Sequence, residues 1–309
     1  MTRRLPPSEI RKDPFHDSYV IIAPRRSLRP GADGVRLAKC VFCPDGLDRK
    51  NVLLAVGPSK RPRVTVIRNV FPAVSEDDRK AFGRQEVVIE TPDHATPFER
   101  LSDGAIAEVL ETFGRRVSAI AADGRMAYVQ IFKNTSGAGA SIAHAHSQIV
   151  ALGFVPPHLA EKSRRVAEYR EAHGGACPYC DMARVEAKGP RRVFSDRHVA
   201  VFTPYASKHN YELLVLPRRH ASGVEQLTAS ERRSMAGALR KAVAFVVGRG
   251  LPYNFYCHRI TGDDGLHFYF RITPRGSAWA GLEIGTGIIV NPVPPEDAAA
   301  EYRKAFAAG

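Results

Sequence analysis

Hydrophobic positions fall mostly into short runs rich in Val, Ile, Phe and Tyr, separated by polar and turn-forming residues. This pattern predicts strands over residues 19–22, 64–68, 86–90, 128–132, 144–152, 199–203, 211–216, 254–258 and 267–272. Two longer stretches carry apolar residues at helical spacing instead. One runs over about 103–122, from Asp103 to a stop at Gly124; the other over about 228–249, with Thr228 or Ser230 as cap and Gly250 as stop. Pro156-Pro157 breaks the chain between them, and a polar stretch at 158–172 reads as a further helix ending at Gly174-Gly175. Many strands, few helices and adjacent pairing imply an α+β fold with largely antiparallel sheets and packed helices.

The order of features repeats. The first half runs Cys40-x-x-Cys43, a strand leading to His94, a helix, and a strand around His144. The second runs Cys177-x-x-Cys180, a strand leading to His220, a helix, and a strand around His267. Such long-range repetition predicts two similar subdomains, 1–157 and 158–309. It also predicts two zinc sites, because each half offers two thiols on one tight turn and two histidines from separate strands. A single C-x-x-C could be a redox pair, but two followed by histidines in the same order favour metal. The ligand sets are Cys40, Cys43, His94 and His144, and Cys177, Cys180, His220 and His267. Four protein ligands close such a site, so its task is structural: pinning the strand next to it. Cys257 stands alone and reads as a small buried apolar residue.

Composition changes this picture little. With 309 residues, 44% hydrophobic and 25% charged, the chain can form one large core or two modest ones. No run approaches the ~18 apolar residues of a membrane helix. The first residues carry two arginines but no apolar stretch, so no signal peptide is expected and the protein reads as soluble and cytoplasmic. A net charge of +13 invites polyanions. The charge is spread as doublets such as Arg115-Arg116, Arg164-Arg165, Arg191-Arg192, Arg218-Arg219 and Arg232-Arg233, without interleaved aromatics. These read as solvated surface, with a minority serving small phosphate ligands. A zinc-ribbon-like nucleic-acid binder would explain the charge and paired cysteines but not the next segment.

That segment runs from Tyr128 to Gln148. A strand enters a loop containing Gly137, Gly139 and Ser141, and a second strand leaves it. Glycines let backbone amides approach an anion, and Ser141 adds a hydroxyl donor. His144, His146 and Gln148 alternate, so a strand would put all three on one face. With His144 held by zinc, His146 is presented beside the phosphate cradle. Imidazole attacks phosphorus well near neutral pH and leaves well when protonated. Gln148 can donate a hydrogen bond to a phosphoryl oxygen but cannot shuttle a proton, which suits group transfer and disfavours hydrolysis. Lys133 reads either as a cation facing developing phosphate charge or as a solvated strand-end lysine.

Gly139-x-Ser141-x-x-His144-x-His146-x-Gln148 resembles the active-site motif of the galactose-1-phosphate uridylyltransferase family, a branch of the histidine-triad superfamily. The likeness extends over nearly the whole chain, through Arg11-Lys12-Asp13-Pro14, Cys40-x-Phe42-Cys43, Arg68-Asn69-x-Phe71-Pro72-Ala73 and the tail Gly281-Leu282-Glu283-Ile284-Gly285-Thr286-Gly287. The resemblance implies two histidine-triad-like subdomains, with His146 as the nucleotidyl carrier and His144 as a zinc ligand. It implies that Asn69, Phe71 and Val87 contact the nucleoside, that Asn134, Gly139, Ser141 and Gln148 hold phosphates, and that Glu283 bonds sugar hydroxyls. It further implies a homodimer in which the partner subunit's Arg26 and the partner subunit's Arg29 reach toward the phosphates. The reaction would be ping-pong, from a nucleotide sugar to a sugar 1-phosphate or inorganic phosphate. UDP-glucose–hexose-1-phosphate uridylyl transfer is the first reading and ADP-glucose phosphorylase the second. Ala145 and Ser147 stand where the galactose enzyme has Pro and Gly, and with the second cysteine pair they lean toward the ADP-glucose phosphorylase branch. The loop from Asn134 to His144 is one residue shorter than in either relative, and no lysine lies near Trp279-Ala280.

Overall fold

The computed structural model describes residues 5–28 and 39–308; Arg29 lies outside the described residues. A small hairpin, β1 (Glu9–Lys12) and β2 (Tyr19–Ile22), precedes the main sheet. The first half contributes β3 (Val52–Val56), β4 (Val64–Arg68), β5 (Gly83–Ile89), α1 (Asp103–Ala121), β6 (Tyr128–Asn134) and β7 (His146–Leu152). After α2 (Pro157–Ala172) and α3 (Pro178–Glu186) come β8 (Arg192–Ser195), β9 (Val199–Phe202), β10 (Leu213–Pro217), α4 (Ala229–Gly248), β11 (Tyr253–Ile260) and β12 (Phe270–Pro274). Two C-terminal helices follow, α5 (Gly281–Thr286) and α6 (Pro295–Ala308).

One ten-stranded sheet joins these strands in the order β3-β4-β5-β7-β6-β11-β12-β10-β9-β8, with antiparallel pairings throughout. Its middle is the β6–β11 pairing, from Asn134↔Asn254 to Tyr128↔Ile260. The expected α+β class with largely antiparallel pairing is what the chain adopts.

Both long helices lie on one side of this sheet. Ile106, Val109, Leu110, Phe113, Val117 and Ile120 line α1 at helical spacing and are fully buried, as are Met235, Leu239, Val243 and Val246 on α4. They pack on Val66, Val88, Val129, Ile131 and Ile149 of the sheet. Each helix starts on a cap: Ser102 Oγ accepts from Ala105 N, and Thr228 and Glu231 form a capping box. Strand pleating sends alternate residues to the other face. There the register aligns Val87, Gln148, Phe132, Tyr256 and Arg271 across five neighbouring strands.

Several expectations change. His144 and His267 do not lie within strands, because the ladders begin only at His146 and Phe270. Both histidines sit in the approach to their strand, their rings held by main-chain carbonyls away from the ladder. Cys177 and Cys180 are not on a bare turn: Cys177 caps α3, and Pro178 at its first position favours helix there. The strands β1, β3 and β8 and the helices α3, α5 and α6 escaped the sequence pattern.

Most of the doublet arginines are exposed, as expected, but three of them reach interior carboxylates. Arg116 forms a bidentate pair with Glu86, which is 1% exposed. Arg191 pairs with buried Glu186, and Arg219 makes two 2.9 Å bonds to buried Glu231. These three arginines therefore neutralise interior carboxylates, while the others stay at the surface.

Candidate active site

His146 opens β7 with its ring buried. Its Nδ1 lies 2.8 Å from the carbonyl oxygen of His144. A carbonyl only accepts, so Nδ1 carries the proton and Nε2 keeps its lone pair. Burial, with the charge of Lys133 adding to it, holds the imidazole down to about pKa 4. The ring is therefore neutral at pH 7, with a fixed tautomer and an available nitrogen nucleophile. Phe42, between the first two cysteines, packs its ring 5.0 Å from that of His146.

The loop before it is tightly built. Gly137 and Gly139 take φ of 81° and 96°, a region that side-chain-bearing residues avoid. Ala138 N and Ala140 N both donate to Thr135 O. Asn254 on β11 ties the loop down, its Nδ2 donating to Asn134 Oδ1 at 2.8 Å and to Ala138 O at 2.7 Å. Asn134 and His146 both border a cavity of about 410 Å³, lined also by Phe98, Lys133 and Tyr253. Ser141 is exposed on the same loop.

Lys133 neither faces solvent nor points to the open face of the sheet. Its strand parity sends it to the helix side, where its ammonium bonds Glu90 at 2.6 Å and the His146 carbonyl at 3.0 Å. Ser147 Oγ donates to the other Glu90 oxygen at 2.5 Å. Lys133, Glu90 and Ser147 are all buried. Ser147, the next residue along the strand, and the carbonyl of His146 itself are thus anchored from behind. Sequence reasoning gave no role to Glu90 or Asn254: Glu90 entered only as the end of the resembling segment Glu86-Val87-Val88-Ile89-Glu90, and Asn254 only as the start of a strand.

The two cysteine–histidine groups assemble as expected: in each, four ligand atoms lie within 4.8 Å of one another. His144 Nε2 donates to Thr91 O at 2.8 Å, leaving Nδ1 as a lone pair 3.7 Å from both Cys40 Sγ and Cys43 Sγ. His94 Nδ1 is 3.6 Å from Cys43 Sγ. In the second group His267 Nε2 donates to Pro217 O and His220 Nε2 to Asp264 O, and both Nδ1 atoms turn to the thiols at 3.3–3.9 Å. Bonds of about 2.0–2.3 Å in a tetrahedron place ligands about 3.3–3.8 Å apart. Burial first, and the neighbouring Cys177 after it, push the Cys180 thiol up to about 12, and burial with Cys40 raises that of Cys43. A cation would ionise these thiols, and lone pairs already converge on its position. Both groups can hold a metal ion.

Counted from the metal-group histidines, Tyr269 and Arg271 in the second half stand where His146 and Gln148 stand in the first. Tyr269 is buried and receives a 2.9 Å bond from Lys162, while Arg271 pairs with Glu212. The second half therefore keeps the metal group without an imidazole at the equivalent of His146.

Other expected contacts are distributed around this face. Val87 pairs with Gln148 in register, is buried, and packs with Phe42, Ile67 and Ile89. Asn69 Oδ1 accepts from Phe71 N, and Phe71 O accepts from Arg26 of the same chain. Glu283 is not among the residues around the His146 cavity; its carboxylate caps α5 by accepting from Ala280 N.

Comparison with known proteins agrees with this geometry. The model of the galactose-1-phosphate uridyl transferase N-terminal domain matches residues 60–156, and that of a domain of unknown function (DUF4921) matches residues 116–307. The chain is 29% identical to ADP-glucose phosphorylase of Arabidopsis thaliana over 96% of its own length and 92% of the relative. It is 25% identical to galactose-1-phosphate uridylyltransferase of Thermotoga maritima, over 96% and 98%. Among solved structures, the Arabidopsis thaliana ADP-glucose phosphorylase with bound ADP-glucose superposes with a TM-score of 0.78 at 29% identity, covering 96% of this chain and 98% of that one. A uridylyltransferase superposes with a TM-score of 0.83 at 27% identity, covering 97% and 99%. The chain belongs to the DUF4921 family and, within the wider galactose-1-phosphate uridylyltransferase family of nucleotidyltransferases, stands near the ADP-glucose phosphorylase branch.

Proposed function

We propose that the protein transfers a nucleotidyl group from a nucleotide sugar through a covalent intermediate on His146. The observation that carries this reading is the tautomer: Nδ1–H is committed to the His144 carbonyl, so Nε2 alone can attack. Nε2 bonds the α-phosphorus, the bond from that phosphorus to the bridging oxygen breaks, and sugar 1-phosphate leaves. The positive charge arising on the ring is stabilised by the Nδ1–H bond to His144 O. An acceptor phosphate oxygen then attacks the same phosphorus, and the P–N bond breaks to restore neutral His146. Both leaving and attacking groups are phosphates, so no proton shuttle is needed, and Gln148 suffices as a neutral donor. Asn134, Gly139 and Ser141 would cradle the phosphates; Asn69, Phe71 and Val87 would meet the nucleoside.

In one reading UDP-glucose is the donor and a hexose 1-phosphate the acceptor. Similarity to an ADP-glucose phosphorylase supports a second, ADP-glucose with inorganic phosphate. Both donors, labelled at the α-phosphate, would be incubated with the protein, which is then denatured and examined for acid-labile label. Label that disappears in His146→Asn is the expected result; which donor labels decides the base. Wild type without label from either donor would sink the proposal.

Both metal groups are read as zinc sites with a structural role, a reading supported by their two thiols and two imidazoles. The halves 1–157 and 158–309 are read as duplicated subdomains of a cytoplasmic enzyme. No described helix is long and apolar enough to cross a membrane. A homodimer is supported by the exposed Trp279, Leu282, Ile284, Ile288 and Val290 around α5. In that dimer the partner's Arg26 and the partner's Arg29 would approach the phosphates, and Glu283 would serve the sugar.

A further inference from the structure

Gln148 is useful to a phosphoryl oxygen only if it presents its NH₂ group. Turned by half a rotation it would present a carbonyl oxygen to an anion. Nothing in Gln148 itself selects between these states, because the two ends of a carboxamide have nearly the same shape.

The neighbouring strand makes the selection. Gln85 lies on β5, two residues before Val87 and on the same face, and is 5% exposed. Its Oε1 accepts from the main-chain nitrogen of Ala73 at 2.8 Å. A main-chain N–H can only donate, so the oxygen of Gln85 must face Ala73. Its Nε2 must then face Gln148, where it donates to Oε1 at 2.9 Å. This leaves the Nε2 of Gln148 as the end turned away from Gln85. Gln85 is also held by its own main chain, since its carbonyl accepts from Asn69 N at 3.0 Å. The bend from Arg68 to Ala73, which carries Asn69 and Phe71, is therefore joined to Gln148 through one residue.

We propose that Gln85 is a positioning residue that fixes the polarity of the Gln148 carboxamide and couples it to the Asn69–Phe71 bend. The inference rests on the nucleotidyl-His146 reading. It makes the donor state of Gln148 a consequence of a fixed chain, Ala73 N–H to Gln85 to Gln148, with one sense of direction. An acceptor-only side chain at position 85 would reverse that sense. In Gln85→Glu, one carboxylate oxygen keeps the Ala73 bond and the other captures the NH₂ of Gln148, so the carbonyl of Gln148 turns to the phosphate. In Gln85→Met the relay is cut, but Gln148 can rotate to offer its donor.

The test is the rate of His146 labelling from ADP-glucose and UDP-glucose carrying α-phosphate label, in both variants and in Gln148→Met backgrounds. Gln85→Glu should label on the order of 100-fold more slowly than wild type, as for loss of one well-placed donor, and Gln85→Met roughly 10-fold more slowly. In the Gln148→Met background, changing Gln85 to Glu should alter the rate by less than about threefold. Thermal unfolding of Gln85→Met and Gln85→Glu verifies that both fold. Labelling of Gln85→Glu equal to or faster than Gln85→Met would overturn the inference, as would an undiminished Gln85→Glu effect without Gln148. If wild type itself fails to label at His146, the underlying site reading falls and this inference with it. Wild-type labelling with an indifferent position 85 removes this inference alone.

Discussion

The ammonium of Lys133 hydrogen-bonds the main-chain carbonyl of His146 at 3.0 Å while its charge is matched by Glu90 at 2.6 Å. His146 is thus braced from the helix side of the sheet by a buried ion pair that never touches the open face. The lysine's strand parity decides this: it shares a side with Val129 and Ile131, not with Phe132.

Removing one member of that pair leaves the other charged and buried. Lys133→Met should therefore cost about 3–5 kcal/mol of stability, measured by urea unfolding. The double variant Lys133→Met, Glu90→Leu should recover much of that loss. A double variant as unstable as the sum of its parts would contradict coupling between the two.

Metal content offers a second check. Purified protein should carry two equivalents of zinc per chain by elemental analysis. Cys43→Ser and Cys180→Ser should each lose one equivalent and unfold at lower temperature. Of the two, Cys43→Ser should slow His146 labelling more, because its group includes His144, whose carbonyl holds the His146 proton. Unchanged metal content in both variants would refute the assignment.

Asn254 anchors the glycine loop from the neighbouring strand. Asn254→Ala removes both of its bonds to that loop, to Asn134 and Ala138. Labelling of His146 should fall by roughly 10- to 100-fold, the scale of an ångström-sized misplacement. Stability should change by only about 1–2 kcal/mol. A rate equal to wild type would mean that the loop holds its shape without this anchor.

Acid should uncover a cluster away from the site. Arg84 bonds Glu76 and Asp123, and Arg125 bonds the same two carboxylates. Hydrogen bonding from Arg84 lowers the Glu76 pKa, and hydrogen bonding from Arg125 lowers that of Asp123. Folded-state values below unfolded ones mean stability that is fully present above the ordinary carboxylate range and lost as pH falls through the folded values. The stability gap between wild type and Arg84→Met should accordingly be constant near neutrality and shrink below about pH 4. A gap that widens on acidification would reverse the assignment.

The features legible in the sequence were those with a strict period or a soft-ligand chemistry. The helices α1 and α4 and the central strands follow from apolar spacing and capping residues. The metal groups follow from thiol and imidazole order, since few other arrangements of those side chains recur twice. What escaped depends on partners remote in sequence. Nothing near Lys133 tells that Glu90, 43 positions earlier, will neutralise it. The strand start was misplaced at His144 because two-residue alternation looks the same whether or not a ladder has formed. Gln85 carries no motif, and its importance comes from a main-chain N–H twelve residues away. Short edge elements such as β3 and β8 have too few residues to show any period.

The β6–β11 seam has a consequence for synthesis on the ribosome. Asn134 and its partner Asn254 are separated by 120 positions. At roughly 5–20 residues per second, translation takes on the order of ten seconds to supply the second strand after the first has emerged. For that interval the seven-residue strand Tyr128–Asn134, bearing Tyr, Val, Ile and Phe, has an unpaired edge. The nascent first half is thus most exposed to strand-to-strand aggregation just after His146 has been made, and least so once residue 260 is free.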